Sequence, residues 1–214
     1  MGAATVFGLA FLVALCNAGV VRNSTTCTPG NIQVCLQPLA DYARSKGIPM
    51  EAMSTGSQNY TYTAQDLKAM CNIYPRVIDC ADEVANRDSC VPEVARIFRG
   101  MVEGLKSTVN STCGPQERNL ILENQECMSR YTVAARVRCK QKTTRLGMLI
   151  GQAMMGRAKQ SSVCRAKNRL INCHVKLATK KCGEAFANFL RNTLADSLSK
   201  TMPGISCSSP NSAT

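Results

Sequence analysis

A chain of 214 residues carries 26 basic against 14 acidic side chains, a net charge of +12, thirteen cysteines and no tryptophan. Thirteen thiols with no CxxC pair and a single histidine, His174, lack the ligand spacing of a zinc module. They also argue against a cytosolic protein, where thiols stay reduced, and point to an oxidising compartment.

Residues 1–18 read as a secretory signal peptide. Val6 to Leu15 form an uncharged apolar run, and Cys16 and Ala18 would fill the two small-residue positions before a cut after Ala18. No Lys or Arg precedes the run. It is shorter than the ~20 residues a membrane span needs. Bulky Leu15 argues against lipoprotein processing at Cys16, and without a hydrophobic tail no GPI anchor is expected. Removing the leader leaves 196 residues and twelve cysteines, an even set suited to six disulfides. Sequons at Asn23, Asn59 and Asn110 agree with secretion.

The mature cysteines fall into two sets of six. Cys27, Cys35, Cys71, Cys80, Cys90 and Cys113 are separated by 7, 35, 8, 9 and 22 residues. Cys127, Cys139, Cys164, Cys173, Cys182 and Cys207 are separated by 11, 24, 8, 8 and 24. Apolar residues repeat in the same register. Val77-Ile78 before Cys80 lies against Leu170-Ile171 before Cys173, and Val84-Ala85 against Leu177-Ala178. After the fifth cysteine, Val94, Ile97, Phe98 and Val102 match Phe186, Phe189, Leu190 and Leu194. Spacings of three, four and seven mark buried helix faces. The chain therefore reads as all-α, a disulfide-stapled helical bundle of two pseudo-repeated six-cysteine halves, 19–126 and 127–207, with a loose tail at 208–214.

Within this frame, Met53 to Thr63 reads as an exposed loop and Pro92 as a first helical residue. The alternating Arg136-Val137-Arg138-Cys139-Lys140 admits a short strand. Gly156 to Gly183 holds no internal Pro or Gly and is one long helix or two, with Asn172 as a possible break. If it is unbroken, nine-residue steps turn the chain by half a turn, so Cys164 and Cys182 face one side and Cys173 the other. Disulfides are expected within each half, but twelve cysteines leave the connectivity open.

The triplets Cys71/Cys80/Cys90 and Cys164/Cys173/Cys182, with their apolar partners, resemble the secreted cysteine-rich helical domains of nematodes and the insect 27 kDa haemolymph glycoproteins. The resemblance spans most of the mature chain and implies a secreted helical protein. It carries no functional residues.

Charge divides the halves. Residues 22–126 hold 10 basic and 12 acidic side chains, net −2, whereas residues 127–214 hold 16 basic and 2 acidic, net +14. Arg136, Arg138, Lys140, Lys142 and Arg145 form one basic group; Arg165, Lys167, Arg169, Lys176, Lys180 and Lys181 form another. On a helix Arg165, Arg169, Lys176 and Lys180 lie within about 60° of one another. Such a stripe can hold an extracellular polyanion, either glycosaminoglycan, acidic lipid or an anionic surface. All three sequons lie in the near-neutral half. Nucleic acid is disfavoured, because no aromatic residues interleave with the basic clusters.

No GxSxG, HExxH, P-loop or GxGxxG motif occurs. No catalytic residue, metal site or cofactor is expected. His174 reads as an exposed histidine, and Asp79, Asp82, Glu83 and Asp88 as a hydrated acidic surface rather than a calcium loop. A binding protein remains. It could also carry a small hydrophobic ligand in a pocket lined by Met50, Met53, Met101, Met148, Met154 and Met155, or serve as a structural matrix or effector component.

Overall fold

The computed structural model of the protein describes residues 34–48, 61–86, 90, 92–202 and 204–207. The expected leader at 1–18, Cys27, Asn23, Asn59 and the expected tail at 208–214 lie outside the described residues. Among these residues seven α-helices follow in order: α1 Gln37–Ser45, α2 Ala64–Ala85, α3 Pro92–Cys113, α4 Pro115–Glu123, α5 Gln125–Arg138, α6 Lys140–Met154 and α7 Gln160–Thr201. Among the described residues there is no strand.

Helix boundaries follow local chemistry. Thr63 caps α2: its hydroxyl accepts from the Asp66 amide at 3.1 Å while the Asp66 carboxylate accepts from the Thr63 amide at 2.9 Å. That reciprocal pair satisfies two amide groups that a helix start leaves unpartnered. Pro92 opens α3, where a missing N–H costs nothing. The 136–140 segment corrects the strand reading. It is the end of α5, a turn at Cys139 and the start of α6, and it alternates because Val137 points outward, 77% exposed.

Asn172 does not break the long helix. Gly183 does, with φ 84° and ψ 176°, a left-handed conformation that glycine adopts without strain. Residues 160–182 (α7a) and 184–201 (α7b) are thus two helices joined by one residue. In the first half the corresponding helices, α2 and α3, are separated by residues 86–91.

The disulfides repeat with the sequence. Cys35–Cys80 and Cys139–Cys173 both join the second cysteine of a half to its fourth. Cys71–Cys113 and Cys164–Cys207 both join the third to the sixth. Cys127–Cys182 joins the first to the fifth of the second half. Cys90, the fifth of the first half, is oxidised too, to a partner outside the described residues. The repeated register makes Cys27 the expected partner. Each of the five bonds between described residues lies within one half and closes 34 to 55 residues of chain. In the chain-entropy account a loop of that size contributes about 4 kcal/mol.

Equivalent side chains are buried equivalently. Val77, Val84, Phe98 and Val102 are at most 3% exposed, and their counterparts Leu170, Leu177, Leu190 and Leu194 at most 7%. One contiguous apolar core runs from Leu39 through Val77 and Leu105 to Leu146, Leu190 and Met202, so the two halves share it. A smaller cluster of Ala81, Val84, Phe98, Met101 and Val102 surrounds Cys35 and Cys90. The exposed-loop reading fails at its C-terminal end. Tyr62 is buried, and the Gln125 side chain at the start of α5 accepts from its amide at 2.6 Å and donates to its carbonyl at 2.9 Å.

The halves meet where α3 packs on α7b, through small and hydroxylated residues. The Thr108 and Ser197 hydroxyls are 2.9 Å apart, and each lies within 3.0 Å of the Gly104 carbonyl. Ser107 donates to the Asp196 carboxylate. A Cβ on Gly104 would collide with the Thr201 hydroxyl and come within 3.2 Å of the Ser197 carbonyl oxygen. Gly104→Ala should therefore lower stability by about 1–3 kcal/mol in chemical denaturation, despite alanine's better helix propensity. Unchanged or raised stability would mean that the seam tolerates a methyl group.

Candidate functional site

The Cys139–Cys173 bond draws the two basic groups together. Its Cα atoms are 6.0 Å apart, and Cys173 Sγ lies 3.8 Å from the Arg138 carbonyl oxygen. Arg138 and Lys140 flank Cys139 at the α5–α6 turn. On α7a, residues four before and three after Cys173 lie within about 60° of it; these are Arg169 and Lys176. All four side chains are exposed. A single covalent bond thus sets cations from distant stretches of sequence around one point, and Arg165 and Lys180 continue the row along α7a. Arg136, Lys142, Arg145 and Lys181 are exposed as well.

The second half holds two carboxylates, Glu184 and Asp196. The ion pairs among the described residues are Arg44–Asp41, Lys106 with Asp82 and Glu103, and Arg130–Glu126. None involves Arg138, Lys140, Arg165, Arg169, Lys176 or Lys180. Like charges on neighbouring elements repel one another, and solution anions or an anionic partner relieve that repulsion.

Lys167 does not belong to the face. It is 7% exposed, its ammonium donates to the Ser199 hydroxyl on α7b, and burial lowers its pKa while Asp196 partly offsets this. The reason is angular: two residues from Arg165 is 200° around a helix. The helical period alone separates Lys167 from Arg165 and Arg169.

His174 corrects the expectation of an exposed imidazole. It is 2% exposed, and its Nδ1 lies 2.8 Å from the Tyr131 hydroxyl of α5. Tyr131 is fully buried, edge-on to both His174 and Phe186 at centroid distances of 6.1 Å. Burial first, and the nearby Lys142 ammonium second, lower the His174 pKa from 6.5 to about 4. Burial raises that of Tyr131. Both rings are therefore neutral at physiological pH and lie beneath the basic face as packing, locking α5 onto α7a.

The other sequence candidates disperse. Met101 is buried in the smaller core, whereas Met148 and Met155 are 50% and 54% exposed, so these three do not line a common pocket. Met50 and Met53 lie outside the described residues. Asp82 is taken by Lys106 at 2.6 Å, Asp79 and Glu83 are exposed, and Asp88 is outside the described residues. No group of metal-ligating side chains gathers among the described residues. No helix there is long and apolar enough to cross a membrane. Sequence reading missed a polar hollow of about 410 Å³ at the seam, where Ser107 and Asn110 of α3 meet Asp196 and Lys200 of α7b. Its sequence signal is the run of small residues Gly100, Gly104, Ser107 and Ser111 at helical spacing in α3.

The buried imidazole makes stability depend on pH. Between pH 6.5 and about 4 the unfolded chain binds a proton that the folded chain refuses, so acidification favours unfolding. Stability should fall by about 3 kcal/mol across that window and level off with respect to this residue below it. Denaturation of wild type and His174→Gln at several pH values checks this, and the variant should lose that component of the slope.

No family model matches the chain, and neither does any curated protein or solved structure.

Proposed function

We propose that the protein is a secreted, non-catalytic binding protein that engages an extracellular polyanion through the basic face of its second half. The supporting observation is the set Arg138, Lys140, Arg169 and Lys176 around the Cys139–Cys173 bond, exposed and without carboxylate partners among the described residues. Oxidised cysteines in both halves favour an extracellular setting. Binding of this kind needs no pocket. A rigid row of cations meets a row of sulfates, phosphates or carboxylates, and affinity falls as salt screens the attraction.

Among polyanions, the outer side of α5 favours an acidic lipid surface. Val133 and Val137, one turn apart, are 50% and 77% exposed on the side opposite buried Met128, Thr132 and Ala135. Arg130 and Arg136 flank them on the helix. Exposed apolar residues with basic neighbours are the composition of a surface that rests at a lipid headgroup boundary.

The test replaces Arg138, Lys140, Arg169 and Lys176 together by Ser. Wild type should elute from immobilised heparin only at high salt and should sediment with vesicles containing phosphatidylserine but not with phosphatidylcholine alone. The variant should lose both behaviours while keeping its disulfides and helicity. Val137→Ser should weaken vesicle binding several-fold and leave heparin elution unchanged. Equal heparin retention of wild type and the quadruple variant would overturn the assignment of the face.

A further inference from the structure

Asn110 is the sequon asparagine within the described residues. It is exposed, and it lines the polar hollow between α3 and α7b. The hollow belongs to both halves: Ser107, Asn110 and Ser111 come from the first, Asp196 and Lys200 from the second. Beneath it lie the hydrogen bonds that join the halves, Ser107 to Asp196 and Thr108 to Ser197.

We propose that an N-glycan on Asn110 seats its first N-acetylglucosamine in this hollow and so acts as a third kind of tie between the halves, beside shared core and hydrogen bonds. The lining suits such a ligand. The carboxylates of Glu103 and Asp196, the ammonium groups of Lys106 and Lys200 and the serine hydroxyls offer acceptors and donors for the ring hydroxyls and the acetamide, and the open mouth lets the remaining glycan leave into water. The sugar need not find the site from solution, because its bond to Asn110 holds it at high effective concentration.

Attachment precedes folding. In the folded chain Thr112 is 6% exposed, and its hydroxyl donates to the Thr108 carbonyl at 2.8 Å. An enzyme that must engage the sequon threonine therefore meets it only on the unfolded chain. In that transfer, Asn110 Nδ2 forms a bond to C1 of a lipid-diphosphate-linked oligosaccharide. The C1–O bond to the diphosphate breaks, the lipid diphosphate leaves with the bonding electron pair, and one amide proton is released. Folding then closes α7b over the modified helix.

The inference rests on the secretory part of the function proposed above and not on polyanion binding, so heparin retention plays no part in its test. Protein secreted from eukaryotic cells as an Asn23→Gln/Asn59→Gln variant carries a glycan at Asn110 alone. The folded material is compared intact, trimmed by an endoglycosidase to the single linked N-acetylglucosamine, and made without the sugar as an added Asn110→Gln variant. The trimmed form should melt with the intact form. Loss of the last sugar should lower Tm by about 2–4 °C and speed hydrogen exchange in residues 103–112 and 194–201. Three equal melting curves, a drop that already appears on trimming, or an unmodified Asn110 in peptide mapping would each overturn the proposal. If Asn110 is unmodified in wild type while Asn23 or Asn59 carries glycan, the glycan seat fails and secretion stands.

Discussion

Cys164, Cys173 and Cys182 sit nine residues apart on one unbroken helix, so they leave it on alternating sides, and three bonds must reach it from two opposite sides. Cys164 takes the segment after α7b, Cys173 the α5–α6 turn and Cys182 the start of α5. Because α5 is bonded at both ends to opposite sides of α7a, it must lie across that helix. The first half obeys the same rule at Cys71 and Cys80. The rest of the architecture follows from these cross-links. They fix which helices touch, and the apolar faces then close around contacts already chosen.

This constraint explains how the second half tolerates its charge. A net charge of +14 on a few short helices opposes compaction. Three disulfides restrict the unfolded ensemble of that half, and the Tyr131–His174 pair buries a neutral polar contact where a charged imidazole would add to the repulsion. The same bond that clamps α7a at Cys173 concentrates Arg138, Lys140, Arg169 and Lys176. Stability and the candidate binding face therefore have one origin. The near-neutral first half carries no such load. It meets the second through an interface of glycine, serine and threonine close enough to exclude a methyl group at residue 104.

Much of this was legible in the residues. Cysteine and apolar registers agreed between the halves because both are set by helix period, and a helix keeps period regardless of its neighbours. Gly183 marked the end of α7a for a local reason, its freedom at positive φ. Features that depend on partners far along the chain were not legible. His174 is buried because Tyr131, 43 residues earlier, covers it. Tyr62 turns inward because Gln125 holds its backbone. The Arg136–Lys140 alternation resembled a strand because Val137, which a strand would bury, faces water. The basic face lies between these cases. Its members were readable from composition and angle, but their convergence needed the Cys139–Cys173 pairing, which spacing alone left open.

Disulfide mapping by mass spectrometry of the non-reduced protein tests the doubled scaffold most directly. The account predicts six bonds and no alkylatable thiol from Cys27 to Cys207, with Cys27 joined to Cys90 as Cys127 is joined to Cys182. Peptides that link a cysteine before residue 126 to one after it, or a free thiol at Cys27 or Cys90, would contradict it.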